Sequence, residues 1–530
     1  MKKILTAFVI AFACISAILS FSGWRVPNST GISCKADTGI ITVNLKEMKY
    51  LGSVDERYQS YNVEMAEVVG GRFWRPYKTM DSLPSSTGSF TFSNDQMFRK
   101  VPPVNLADKR LVNLAKGLAP AYVRVSGSWA NTVYFQDNDS PQIKAPAGFV
   151  NTLTRKQWKG VIGFVKATNS KLITSFAAST GVRDSKGNWT TAEAQKIVDY
   201  TKSIGGKITG AELFNEPTIP MAAGVDTNYN GQNFAEDVAV FRAWAKKEVP
   251  GMLLIGPGST AEGLPGQSFT GILQHFITTD SLMSHDPKPV FDIFSYHYYG
   301  AVSMRVVRSG SHSIKAENAL NAQWLQKTDT VADYYIGLRD KYSPGKPVWV
   351  TETAEAAAGG DPFAATYLDC FRYLYQLGSL AKKRIQVVMH NTLAASEYSL
   401  IDQDTHLPKP DYWAALLWAK LMGTKVYEAG NGTEGVYLFA HNMKGNTGGI
   451  TLLVLNTNKA STTINTPANG EQYTLTSDDL QGNNVQLNGQ NLKLNANDML
   501  PAITGKKVKA GNIELPATSI TFITFENAGK

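Results

Sequence analysis

From residue 58 to residue 393 the chain repeats one pattern: a short apolar, β-rich run, then, in most intervals, a stretch with apolar residues at helical spacing. The runs are "YQSYNVEM" (58–65), "AYVRVSG" (121–127), "KLITSFAA" (171–178), "ITGAELFN" (208–215), "LLIGPG" (253–258), "FDIFSYHYY" (291–299), "PVWVTE" (347–352) and "IQVVMHNTL" (385–393). Among the helix-like stretches are "AEAQKIVDYTKSI" (192–204), "FAEDVAVFRAWAKKE" (234–248) and "DPFAATYLDCFRYLYQLGSLA" (361–381). Eight strands alternating with helices predict an α/β fold, a (β/α)8 TIM barrel with insertions. A doubly wound open sheet is the rival, but no Gly-x-Gly-x-x-Gly follows a strand. The barrel carries an expectation of its own: functional side chains should gather at the C-terminal ends of the strands.

From about Lys425 the helical pattern stops, and short strands such as "GVYLFAHN", "GITLLVLNTN" and "SITFITF" alternate with Asn/Gly-rich turns. This predicts a C-terminal antiparallel β-sandwich, which the early strand at 40–50 is expected to join. The expected division is therefore an export signal or anchor over 1–22, an N-terminal segment over 23–57, the barrel over 58–424 and the sandwich over 425–530.

At 530 residues the chain exceeds one compact core, and 43% hydrophobic with 18% charged residues is a globular composition. Met1-Lys2-Lys3 followed by the apolar "ILTAFVIAFACISAILSF" reads as an export signal, so the protein is expected to be secreted or periplasmic. Because the run is long for a cleaved signal, an uncleaved membrane anchor is the alternative. Cys14 lies inside that run rather than after it, which argues against a lipoprotein site. With Cys14, Cys34 and Cys370 as the only cysteines there is no disulfide framework; Cys34 and Cys370 either form one bridge or remain two thiols. A net charge of +8 suits nucleic acid, acidic surfaces or anionic substrates. No long Lys/Arg run accompanies it, so nucleic acid is not an expected partner, and a monomer is expected.

Candidate chemistry begins at "AELFNEPTIP" (211–220). Pro217 cannot donate to a ladder, so pairing should end there and Glu216 should stand at a strand's C-terminal end. The seventh run ends in "WVTET", which puts Glu352 at a second such end. Glu64 closes the first run, His297 and Tyr299 close the sixth, and the eighth leads toward Tyr398; on a barrel all of these converge on one mouth. Two carboxyl groups across a cleft can cleave a glycosidic bond, one protonating the leaving oxygen and the other attacking the anomeric carbon. A retaining pair stands about 5–5.5 Å apart and an inverting pair about 6.5–9.5 Å. Tyr299 could donate to Glu352, and Asn215 could hold the sugar 2-hydroxyl. The plainer alternatives are that Glu352 is a loop acid like Glu355, and that His297 and Tyr299 are satisfied core residues. His297 has no second histidine at ligand spacing and no Gly-x-Ser-x-Gly is present, so neither a metal, a cofactor nor a serine nucleophile is expected.

One further set of residues is more specific. Val348-Trp349, Gly359-Gly360, Pro410-Asp411-Tyr412-Trp413, Gly423-Thr424-Lys425-Val426 and the ending "ELPATSITFITF" together resemble glycoside hydrolase family 79, which contains heparanase and microbial β-glucuronidases. The likeness runs from about residue 40 to the C-terminus. It implies a retaining enzyme with a (β/α)8 barrel and a β-sandwich, Glu216 as acid/base and Glu352 as nucleophile. It also implies sugar contacts from Glu64 (Asp in heparanase) and Ser128, and a grip on a uronate carboxylate by the backbone of Ala358 and Gly359 with Tyr398. Heparanase has three glycines where this chain has Ala-Gly-Gly; the grip survives if residue 358 does not need a positive φ. Region 128–158 is short and holds no dense basic cluster, unlike heparanase with its excised linker and basic patches. The resemblance therefore implies release of terminal glucuronate from a glucuronate-containing oligo- or polysaccharide. Endo-cleavage of an acidic polysaccharide, a neutral-sugar glycosidase and a non-catalytic glycan-binding barrel are the alternatives. The insertion at 77–96 is expected to wall one side of the cleft.

Overall fold

Eight parallel strands close on themselves in chain order: β1 (Gln59–Glu64), β2 (Tyr122–Ser126), β3 (Lys171–Ser175), β4 (Ile208–Glu212), β5 (Leu253–Ser259), β6 (Ile293–Val302), β7 (Val348–Ala357) and β8 (Val387–His390). This computed structural model describes residues 39–80, 97–264, 275–307 and 310–528. The signal or anchor of 1–22, Cys14, Cys34 and residues 81–96 of the expected wall lie outside the described residues. The expected (β/α)8 barrel is the fold observed, with every one of the eight apolar runs supplying a barrel strand.

Alternation along each strand sorts the interior into layers. At the N-terminal end the barrel is filled by Tyr122, Ile173, Ile255, Ile293, Trp349, Val387 and Met389, with the Tyr122 and Trp349 rings 5.0 Å apart. One step further along the strands the interior turns polar, with Asn62, Arg124, Glu212, His297 and Glu352 all buried. The outward positions pack on helices; Tyr296 of β6, for example, stacks on Tyr335 of the helix Lys327–Tyr342 at 4.4 Å.

Two strands outrun the sequence pattern. β6 and β7 continue past the rim as a paired ribbon, from Tyr298 opposite Thr353 to Val302 opposite Ala357. Glu352 therefore lies inside a strand rather than at its edge. The mixed sequence "TETAEAA" hides this extension, because pairing with β6 rather than an apolar run keeps it extended.

The helix Tyr367–Lys382 is buried on every face, with polar residues paired within it: Arg372 donates to Asp369 (2.5 Å) and to Gln376 (3.3 Å). It lies between the barrel and the C-terminal sheets: Leu377 carbonyl accepts from Tyr58 of the barrel (2.6 Å), and the Tyr367 hydroxyl donates to Leu475 carbonyl in a C-terminal strand (2.7 Å). Its one cysteine, Cys370, is a buried free thiol. The C-terminal part is an antiparallel sheet built on Met422–Tyr427, Val436–Met443, Ile450–Asn456, Gly470–Thr476 and Ser519–Phe525, facing a smaller sheet with Thr462–Thr466 and Gly511–Leu515. Ile41, Leu438, Leu452, Val454, Ile513 and Phe525 are part of the core between them. Two N-terminal strands belong here: Tyr50–Ser53 pairs with Met422–Tyr427, and Ile41–Thr42 with Thr462–Thr466.

Candidate active site

A single cleft of about 1290 Å³, counting its open mouth, lies over the C-terminal ends of the barrel strands. Glu64, Ser128, Glu216, His297, Tyr299, Glu352, Ala358 and Tyr398 all line it. Asn215 and Gly359 stand behind its wall. Asn215 is buried with its Oδ1 accepting from Arg124, and the Gly359 Cα faces Trp74 and Ser396.

Glu216 sits four residues beyond the end of β4, at φ +52°. A non-glycine residue in that region is strained by roughly 1–3 kcal/mol and persists only where its surroundings dictate it. Here a reciprocal clamp does so: Asn215 N donates to Asn131 Oδ1 (2.8 Å) while Asn131 Nδ2 donates to Asn215 O (3.0 Å). Glu352 points inward for a different reason. Tyr296 pairs with Val350 but His297 pairs with Glu352, so Thr351 is an extra residue, a bulge that shifts the phase of β7. Without it, Trp349 and Thr351 would point inward and Glu352 would face the helices.

Arg124 organises the pair. Its guanidinium donates to Glu352 Oε2 (2.8 Å), twice to Glu212 Oε2 (2.7 and 3.0 Å) and to Asn215 Oδ1 (2.7 Å). It also lies 3.3 Å from His297 Nε2. His297 Nδ1 faces Glu216 Oε1 at 3.0 Å. Tyr299 adds a 2.6 Å hydrogen bond to Glu352 Oε1. One carboxylate oxygen of Glu216, one of Glu352 and a His297 nitrogen all lie within 4.8 Å of one another. Burial works to raise the Glu352 pKa, but His297, Arg124 and the Tyr299 hydroxyl outweigh it and hold the carboxyl below its ordinary range. Three ligand atoms so placed resemble a metal cluster, yet the Arg124 cation already occupies the electrostatic role of an ion beside Glu352 and His297. The donor set suits acid–base chemistry better than an ion.

Glu64 behaves in the opposite way. Burial first, then the neighbouring Glu352 charge, push its pKa well above the carboxylate range, so it holds its proton near neutrality. Its Oε1 accepts from Asn391 Nδ2 (3.1 Å). The same Asn391 nitrogen also lies 3.0 Å from the Tyr299 hydroxyl and 3.1 Å from that of Tyr398, tying three cleft residues together. Gly127 is required beneath: a Cβ there would stand 1.6 Å from Glu64 Oε2.

At the other end of the cleft the turn 358–360 has three successive positive φ values, +64°, +92° and +80°. Ala358 therefore does take the left-handed conformation, contrary to the condition set from the sequence; the Cβ costs roughly 1–2 kcal/mol, but the turn is held in place and the backbone N–H is still presented. The turn is fastened from behind. Arg305, fully buried and 3.9 Å over the Tyr77 ring, donates to the carbonyls of Gly360 (2.6 Å) and Ala358 (3.4 Å). Glu397 N and the Ser396 hydroxyl donate to Gly359 O (3.1 and 2.9 Å). Gly360 N is used by Ala356 O, while among the described residues the amides of Ala358 and Gly359 have no hydrogen-bond partner.

Comparison with known proteins fits this geometry. The profile of the glycosyl hydrolase family 79 N-terminal domain matches residues 97–378, more than half of the chain. The chain belongs to glycoside hydrolase family 79. It is 28% identical over 487 residues to heparanase of Bos taurus, covering 80% of this chain and 85% of that one. To the baicalin-β-D-glucuronidase of Scutellaria baicalensis it is 25% identical over 471 residues, covering 79% and 83%. A solved 4-O-α-L-rhamnosyl-β-D-glucuronidase of Fusarium oxysporum superposes with a TM-score of 0.62 at 15% identity, covering 92% of this chain and all of that one. Family 79 membership makes the protein a glycoside hydrolase. No described helix is long and apolar enough to cross a membrane.

Arg124, Glu212, Asn131, Asn391 and Arg305 were not singled out from the sequence. For two of them a signal was present: Arg124 interrupts "AYVRVSG" and Glu212 interrupts "ITGAELFN". A charge in the middle of a strand buried on both faces needs a partner. Asn131, Asn391 and Arg305 lie outside the barrel strands, where no periodicity marks them.

Proposed function

We propose that this protein is a retaining β-glucuronidase that releases terminal glucuronate from a glycan or glycoside. Glu352 attacks the anomeric carbon while Glu216 gives its proton to the departing glycosidic oxygen, leaving a glycosyl ester on Glu352. Glu216 then takes a proton from the incoming water, whose oxygen displaces the ester and regenerates both groups. The observation that carries this reading is the Glu216–Glu352 pair, with carboxylate oxygens within 4.8 Å. That spacing is nearer the about 5–5.5 Å of a retaining pair than the about 6.5–9.5 Å of an inverting one, which supports double displacement. The nucleophile must stay ionised, and Arg124 with Tyr299 supplies the donors.

Uronate recognition is assigned to the turn at 358–360. The Ala358 and Gly359 amides, together with the Tyr398 hydroxyl, are offered to the C6 carboxylate. Glu64, holding its proton, donates to a sugar hydroxyl. Asn215, behind the wall with Oδ1 committed to Arg124, holds Arg124 and the Glu216 turn from beneath; a contact from its Nδ2 to the 2-hydroxyl would need the side chain to reach through that wall. Ser128 completes the sugar contacts from the loop after β2. Trp74, stacked on Phe98 (4.6 Å) and edge-on to Trp129 (6.2 Å), forms a wall of rings beside this turn. Such a wall suits a chain end rather than a chain interior. The names of the two sequence relatives, a heparanase and a β-D-glucuronidase, support the same sugar. The expected export signal places the work outside the cytoplasm, on a single-chain monomer.

The test is a panel of 4-nitrophenyl glycosides with β-D-glucuronide, glucoside, galactoside and xyloside, followed by 2-fluoro-glucuronide labelling and peptide mapping. Preferential hydrolysis of the glucuronide and a label on Glu352 are expected. Turnover of a neutral glycoside in its place, or a label elsewhere, would overturn the assignment.

A further inference from the structure

The proton donor fixes which side of the cleft receives the leaving group, because Glu216 must reach the glycosidic oxygen. On that side the chain presents a different chemistry from the uronate end. Residues immediately after Glu216 supply Ile219, Met221 and Ala222, and the loop after β5 supplies Ala261 and Leu264. Met221 is 41% exposed, a large apolar side chain left in solvent within a few residues of the reacting atoms. Apolar groups concentrated in this way mark a binding surface.

Apart from His297 and the tyrosines, the ionisable groups that line the cleft are equally one-sided, all of them carboxyl groups. Among the described residues the cleft carries Glu64, Glu216, Glu262 and Glu352, and no Lys or Arg lines it. Arg124 and Arg305 are the nearby cations, both fully buried, and each is already bonded, to Glu212 and Glu352 in one case and to backbone carbonyls in the other. Glu262 borders the leaving-group side, where it accepts from Thr279 N and from the Tyr334 hydroxyl. A sulfate or carboxylate placed here would give up its hydration against apolar side chains and face carboxyl groups with no cation to pair it. Unpaired burial of an anion is among the costliest events in a binding site.

Resting on the glucuronidase reading, we infer that the leaving group is a neutral apolar or aromatic alcohol or phenol and not the next residue of a sulfated or uronate-bearing polysaccharide. The site so defined is Ile219, Met221, Ala222, Ala261 and Leu264. Binding energy on this side comes from apolar area and methionine–ring contact. The overall charge of +8 plays no part in it.

The test compares kcat/KM for two matched pairs. One is 4-carboxyphenyl β-D-glucuronide against its uncharged methyl ester. The other is a glucuronide of 6-O-sulfated N-acetylglucosamine against that of unsulfated N-acetylglucosamine. The neutral member is expected to win by at least tenfold in each, mostly through KM, with rates nearly flat from 20 to 300 mM salt. Met221→Lys and Leu264→Lys should each shift the ratio toward the anionic member. Equal or better cleavage of the anionic members, or lysine variants that leave the ratio unmoved, overturns the inference while the glucuronidase reading stands. Hydrolysis of none of the four overturns both.

Discussion

Replacing Arg124 by Gln tests the electrostatic logic of the site most directly. The wild-type guanidinium is a donor to Glu352 at 2.8 Å and the partner of Glu212 at 2.7 Å, with both side chains about 1% exposed in the second pair. Losing a hydrogen bond to a charged group costs about 1.5–3 kcal/mol. At 1.36 kcal/mol per pKa unit, this raises the Glu352 pKa by about one to two units. The sign follows from the mechanism. Attack requires ionised Glu352, so activity disappears as pH falls through its pKa, and the wild-type carboxyl lies below its ordinary range. The acid limb of the kcat/KM profile for 4-nitrophenyl β-D-glucuronide should therefore move upward by about one to two units in Arg124→Gln. At a pH below both values the variant's deficit should be about 10–100-fold larger than at neutrality. Glu212→Gln should act in the opposite sense, since removing the competing carboxylate leaves Arg124 more fully to Glu352. Arg124→Gln should also lower stability by about 3–5 kcal/mol, the usual result of leaving a buried charge unpaired, and Arg124→Lys, which keeps the charge, by less. Thermal melts separate that loss from the kinetic effect. A uniform fall in kcat at every pH, with an unmoved acid limb in both Arg124→Gln and Glu212→Gln, would show that Arg124 is only a scaffold for Asn215 and His297.

Perturbations at four other positions have definite expected outcomes. Burial raises the Glu67 carboxyl to about 8 while its Oε2 accepts from Glu64 N; the native state then keeps a proton that the unfolded chain releases, so stability falls as pH rises from about 4.5 to 8, by up to about 1.4 kcal/mol per unit. Calorimetry at pH 5 and pH 8 should accordingly find Glu67→Gln gaining on the wild type at the higher pH, and parallel curves would contradict the burial argument. Glu64 holds its proton, so Glu64→Gln, which keeps a donor, should retain kcat/KM within about tenfold, whereas Glu64→Ala should lose about 100-fold or more, as expected when a substrate hydroxyl loses its built partner; equal losses in the two variants would mean that the charge matters after all. Ala358→Gly removes the left-handed strain of roughly 1–2 kcal/mol and adds a glycine cost of about 0.5–1, so its melting temperature and its KM for the glucuronide should stay close to wild type. Gly359→Ala sets a Cβ 2.8 Å from Trp74 and from Ser396 Oγ at φ +92°, and it should raise that KM sharply; an unchanged KM would remove the turn from uronate recognition.

How far the sequence could be read depends on which physical signal each feature leaves. All eight barrel strands were legible because a parallel strand is covered on both faces and must be apolar nearly throughout. The helix at 367–382 was legible because most of its residues are apolar and recur at helical spacing, although it also buries an Asp369–Arg372 pair that periodicity does not mark. Periodicity says nothing of phase, however, and the site is a matter of phase. A strict alternation from Trp349 would send Thr351 inward and Glu352 outward; one unmarked extra residue at Thr351 reverses this. Glu216 likewise owes its direction to a φ of +52° and to the Asn131 clamp, and neither leaves a composition signature. Both carboxyl groups are thus aimed by local irregularities that local propensity resists. A (β/α)8 barrel with regular strands would fold equally well and place one of these two groups in a helix interface. The bulge and the strained turn have a common effect: each brings a carboxylate to within reach of His297. Selection for stability alone would favour neither, since one costs ladder hydrogen bonds and the other backbone strain. Their coincidence at a single histidine is therefore the structural argument for catalysis. It is independent of family resemblance, because it would hold for any chain in which two unrelated distortions converged on the same pair of oxygens.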